Sequence, residues 1–129
     1  MQLYNLYMPG AIDRDSLLRV STIVDLLDIG WRPGNAELDT ARYVEKWGIL
    51  PSRGAAPFRM MGIVRSLPVR RTVFIAPVFA IDRTANWARI WDEWVIIGDS
   101  LDDSPAFDAA EIRDATSVWL HGELRRLRA

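Results

Sequence analysis

The sequence predicts a single α+β domain over residues 1–129, with two N-terminal helices, a three-stranded antiparallel sheet and a long C-terminal helix packed on it. Three observations carry this. Leu17, Val20, Val24 and Leu27 recur at three-to-four spacing, one stripe of a helix. Between Pro57 and Gly98 lie three extended segments joined by two short turns. From Ala109 to Leu127 the apolar period is again that of a helix.

The elements follow in order. Leu3, Tyr4, Leu6 and Tyr7 form a short arm against the body, broken at Pro9-Gly10. Asp13 or Asp15 caps the first helix and Gly30 supplies a left-handed stop. Trp31-Arg32-Pro33-Gly34 is a turn, after which Asn35 caps a shorter helix from Ala36 to Trp47, with Leu38, Ala41, Val44 and Trp47 near one face. Pro51, Gly54 and Pro57 make a loop. The first strand is Phe58 to Val64, where Gly62 marks a weak point or a close approach.

Ser66-Leu67-Pro68-Val69 turns the chain into a second strand, Thr72 to Ile81. Val73, Ile75, Phe79 and Ile81 lie on one face and Phe74, Ala76 and Val78 on the other, so both sides should be covered. Pro77 cannot donate to a ladder, which predicts a bulge at Ala76-Pro77 or an edge position. Trp87 to Ile97 fits both helical spacing and alternation; its β-branched end and Gly98 favour a strand. Asp99, Asp102 and Asp103 form an acidic loop, and Ser104-Pro105 starts the last helix. Ala109, Ile112, Ala115, Trp119, Leu120, Leu124 and Leu127 share its apolar side, facing away from Glu111, Asp114, Ser117, His121, Arg125 and Arg128.

Half of the residues are apolar and 26% are charged, the balance of a folded soluble domain. The absence of cysteine excludes disulfides, thiolate metal sites and cysteine nucleophiles. The longest apolar stretch, Val73 to Ile81, is far below the roughly 18–20 residues of a membrane span, and the first residues lack the features of a signal peptide. A cytoplasmic protein without a membrane partner is the expectation.

Few constellations invite chemistry. Asp114, Ser117 and His121 share a helical stripe, but a catalytic triad needs an oriented base and an oxyanion hole, usually from different elements. The acidic loop lacks the ligand spacing of a calcium site, and no glycine pattern builds a phosphate cradle. No metal and no cofactor are therefore expected, and no catalytic residue is assigned. An enzyme, as a small metal-independent hydrolase, is an outside reading.

Charge is the one feature with functional content. Residues 51–98 carry seven basic and three acidic side chains, while both flanks are acidic. Fifteen of the sixteen basic residues are arginine, which GC-rich codon usage explains more simply than selection for bidentate contacts. Arg59, Arg65, Arg70, Arg71 and Arg83, with Trp87, are the candidate contacts for a nucleic acid bound by charge and stacking. The plainer reading is core tryptophans with arginines at the sheet margins.

A three-stranded sheet under one long helix leaves too little cover for three tryptophans in the third strand. Trp91, with Arg89 and Glu93 beside it, is therefore expected to stay partly exposed and to contact a protein partner, a second copy of the chain being one candidate. A protein-binding accessory factor is the leading functional expectation, and a nucleic-acid binder is the alternative.

Several pieces in order resemble an uncharacterised family of short proteobacterial proteins, a domain of unknown function often found on mobile elements. They are the first helix with Gly30 and Pro33, Leu38-x-x-Ala41 followed by Trp47, Gly62-x-Val64-x-x-Leu67-Pro68, Trp87-Ala88-Arg89 and Ile97-Gly98. The resemblance covers about residues 17–98 and departs at Leu67, Ala76-Pro77 and Ile90. It implies a phage or mobile-element origin, supports the helix–sheet order, and carries over no site residues.

Overall fold

The computed structural model describes residues 4–6, 13–52, 56–66, 70–91, 93–101 and 107–128. Asp13 opens the first helix, α1 (Arg14–Asp28), accepting the Ser16 N–H at 2.7 Å. That bond favours the ionised form and holds the Asp13 carboxyl below its ordinary value of 3.8. Leu17, Val20, Val24 and Leu27 are buried as the spacing predicts. Gly30, at φ 100°, closes the helix with the paired bonds Gly30 N–H to Leu27 O and Trp31 N–H to Leu26 O.

The second expected helix does not form beyond one turn. It is α2 (Asn35–Leu38), and Gly34 rather than Asn35 caps it. The chain then enters a strand, β2 (Arg42–Pro51). Lys46 sits at φ 51°, and pairing with β3 (Phe58–Ser66) slips by one residue between Glu45 and Gly48. The bulge turns Val44, Trp47 and Ile49 all inward. A three-residue step between inward side chains imitates a helix, which is why the sequence misleads here.

Three further strands follow: β4 (Arg70–Asp82), β5 (Trp87–Ile90) and β6 (Glu93–Ile97). Each consecutive pair from β2 to β6 is antiparallel. β2 and β6 then pair in parallel through Arg42↔Val95, Tyr43↔Ile96 and Val44↔Ile97. The sheet closes into a barrel. With an odd number of alternating strands, first and last point the same way, so the closing pair has to be parallel. A short strand, β1 (Tyr4–Leu6), adds to β4 in parallel. The expected three strands are thus a six-stranded sheet with five in the barrel, and Trp87 to Ile97 is two strands turned at Trp91.

Closure explains the two apolar faces of β4, since one face lines the barrel. Phe74, Ala76 and Val78 join Val44, Met60, Ile90 and Val95 inside. The β4–β5 register shifts between Val78 and Ala80, just beyond the expected bulge. The shift reverses the alternation, so Ile81 also points inward while Phe79 and Ala80 belong to the two outer clusters. Pro77 lies between the last partner of β1, Ile75, and the first partner of β5, Val78. A residue without an N–H costs least at such a joint.

The last helix, α3 (Ala109–Arg128), is capped by Asp108, whose Oδ1 accepts the Glu111 N–H at 2.8 Å. Ser104-Pro105, expected to start it, lies outside the described residues, as does the turn Leu67-Pro68-Val69. Ile112 packs on the barrel interior, where Phe107 meets Phe58 at 4.6 Å. Two turns further on, Leu120 and the half-buried Trp119 and Leu124 pack with α1 against Phe79 and Trp91. Thr116, absent from the predicted apolar side, is buried, while Ala109 and Leu127 are exposed. Among the described residues no helix is long and apolar enough to cross a membrane.

Candidate binding surface

The expected contact at Trp91 is overturned by burial. Trp91 is only 7% exposed, enclosed by Leu17, Val20, Val24 and Leu120, with its ring 5.7 Å from that of Phe79. The barrel hides one face of each strand by itself, so both helices are free to cover the outer tryptophans. Arg89 lies with its guanidinium 5.2 Å from the Trp94 ring centre, and Glu93 is held by the Arg42 guanidinium. The three residues are parts of the fold's own packing.

The nucleic-acid set is split. Arg59 is on β3 opposite Pro77, and positions 65, 70 and 71 lie at the β3–β4 hairpin end, where Arg65 pairs with Arg71 and Ser66 with Arg70. The side chains of Arg65, Arg70 and Arg71 are outside the described residues. Arg83 and Trp87 belong to the opposite end of β4, with Arg83 stacked 5.3 Å over Trp47. Trp87 is 4% exposed and meets Trp94 edge-on at 5.4 Å. Four of the six tryptophans are buried and Trp31 and Trp119 are half-buried, so none is an exposed platform for base stacking.

On α3, Asp114 and His121 are exposed and Ser117 is half-buried. Among the described residues, no three His, Asp or Glu side chains gather as metal ligands.

The surface that sequence reasoning missed lies on the outside of β2, β3 and the first half of β4. Met61 pairs with Ile75, and Ile63 with Val73. Directly paired residues share a sheet face, so these four form one apolar block. All four are half-buried, and none belongs to the three core clusters. On β2 the same rows continue through Glu45 and Gly48, while Leu50 (39% exposed) and Tyr43 (50% exposed) extend the outer side. A signal was present: Arg59, Met61, Ile63 and Arg65 alternate with Phe58, Met60, Gly62 and Val64. Its meaning depended on knowing which set the barrel encloses.

The stretch of sequence that supplies this block is one-sided in charge. From 42 to 77 the chain carries seven basic residues, Arg42, Lys46, Arg53, Arg59, Arg65, Arg70 and Arg71, against the single acid Glu45. No family model matches the chain, and no curated protein or solved structure matches it either.

Proposed function

We propose that this chain is a non-enzymatic accessory protein that works by binding another protein on the outer face of β2, β3 and the first half of β4. The observation that carries the reading is the block of Met61, Ile63, Val73 and Ile75, which packs into neither the barrel interior nor the helix clusters. Aliphatic and thioether surface of this kind on the outside of a sheet favours a protein partner. Along the chain from 42 to 77 basic residues outnumber acidic ones seven to one, with Arg42 paired to Glu93, and that excess supports a partner whose apolar contact is rimmed by carboxylates. It also disfavours a second copy of the same chain, because two faces of like charge repel. A cytoplasmic, phage or mobile-element setting belongs to this proposal and rests on the resemblance over residues 17–98.

Nucleic acid is the second reading, favoured by the same basic excess. It is ranked lower because non-specific single-strand binding stacks successive bases on several exposed aromatic faces, and among the described residues Tyr43 is the one exposed aromatic, the tryptophans being buried or half-buried.

Capture from the host cytoplasm distinguishes these readings. The wild type and Val118→Glu, altered at a residue 74% exposed on α3, should retain the same protein after nuclease treatment. Ile63→Glu and Met61→Arg should weaken its binding about thirty-fold or more, the scale of a central contact residue, with far-ultraviolet dichroism unchanged. Full retention by both folded variants overturns the surface assignment. Capture that disappears with nuclease favours the nucleic-acid reading.

A further inference from the structure

A second site, independent of the outer sheet face, is present at the other end of β4. A cavity of about 380 Å³ opens between the end of α1, the 83–86 turn and the start of α3. We infer that it binds a small organic anion of the phosphate-monoester class.

Three guanidinium groups from three separate elements line it: Arg32 after α1, Arg83 in the turn and Arg113 on α3. Each is positioned by a contact of its own. Arg32 Nη1 donates to Leu27 O at 2.9 Å and Trp31 O at 2.8 Å. Arg83 rests over the Trp47 ring, and Arg113 Nε lies 3.5 Å from Asp28 Oδ1. Among the described residues, neither Arg32 nor Arg83 makes an ion pair with a carboxylate.

The two acids on the cavity wall, Asp82 and Asp108, are committed to the backbone. Asp82 Oδ1 accepts the Thr84 and Ala85 N–H groups, both at 2.9 Å, and Asp108 Oδ1 accepts that of Glu111. They shape the turn and cap the helix; three guanidinium groups against two carboxylates leave the lining with an excess of one positive charge, and Arg113 is itself paired with Asp28. Planar, fixed guanidinium forks suit phosphate oxygens.

The rest of the wall gives the ligand a body. Leu27, Ala80 and Trp87 supply apolar surface beside the arginines. A volume of about 380 Å³ falls within the roughly 300–1,000 Å³ usual for small-molecule sites, and is larger than a bare inorganic anion requires. The geometry therefore suits a phosphate ester with a compact apolar or aromatic portion, such as a nucleoside monophosphate.

The test is an amide-resolved NMR titration of the full chain at low salt, with inorganic phosphate and, separately, adenosine monophosphate. Both should shift the amides of Arg32, Arg83, Ala109 and Arg113, with the nucleotide binding about tenfold tighter than phosphate. Arg32→Gln and Arg83→Gln, at exposed positions that leave the core intact, should each weaken binding about tenfold or more. Equal affinity for the two probes overturns the organic-ligand assignment. Shifts scattered over the surface without saturation by about 10 mM, or affinity unchanged in both variants, overturn the site itself.

Discussion

Replacing Gly62 with valine should lower the melting temperature by about 10 °C or more, or leave the protein insoluble. A Cβ at Gly62 would lie 2.5 Å from Val44 Cγ1 and 3.2 Å from Phe74 Cε1. Both neighbours are buried inside the barrel, where neither can retreat without moving its own strand. Space is the whole reason, since the Gly62 backbone is not in the left-handed region. Overpacking a core typically costs about 1–3 kcal/mol, and three added carbons at this distance should reach the top of that range or beyond. Total stability of such a domain is only about 5–15 kcal/mol. Gly62→Ala should lose less. A valine variant that melts like the wild type would show that β2, β3 and β4 do not converge on this point.

Trp91→Glu should abolish cooperative unfolding. Truncating a buried tryptophan costs about 3–5 kcal/mol through lost contacts and a residual cavity. The substitution also places a carboxylate among Leu17, Val20, Val24, Phe79 and Leu120. A dye that reports exposed apolar surface should bind the variant, and Trp91→Phe should restore most of the melting transition. A fully folded Trp91→Glu chain that had merely lost a partner would instead support the surface role expected from the sequence.

The difference between those two outcomes marks where sequence reasoning stopped. The stripe of Leu17, Val20, Val24 and Leu27 was legible because a helix repeats locally. The strand at Phe58 was legible for the same reason, and Gly62 within it read as either a weak point or a close approach. β2 was not, because the bulge at Lys46 changed a period of two into a step of three. Barrel closure was not either. Tyr43 and Ile96 pair in parallel although far apart in sequence, and nothing local to either residue announces it.

The error at Trp91 follows directly from the missed closure. An open sheet has two faces to cover, whereas a closed one hides a face internally and leaves both helices for the outside. The arginine excess was visible from composition. Its distribution was not, since register decides that positions 59, 65, 70 and 71 lie along one half of β4 while Arg83 joins Arg32 and Arg113 at a cavity. Arg32 and Arg113 carried no sequence signal, because their meeting depends on how α1 and α3 pack.

Hydrogen–deuterium exchange of the chain, free and saturated with the captured protein, tests the proposed surface most directly. Added protection is expected over residues 58–64 of β3 and 72–77 of β4, with residues 87–97 exchanging alike in both states. Protection gained only over 87–97, or only along α1 and α3, would contradict it.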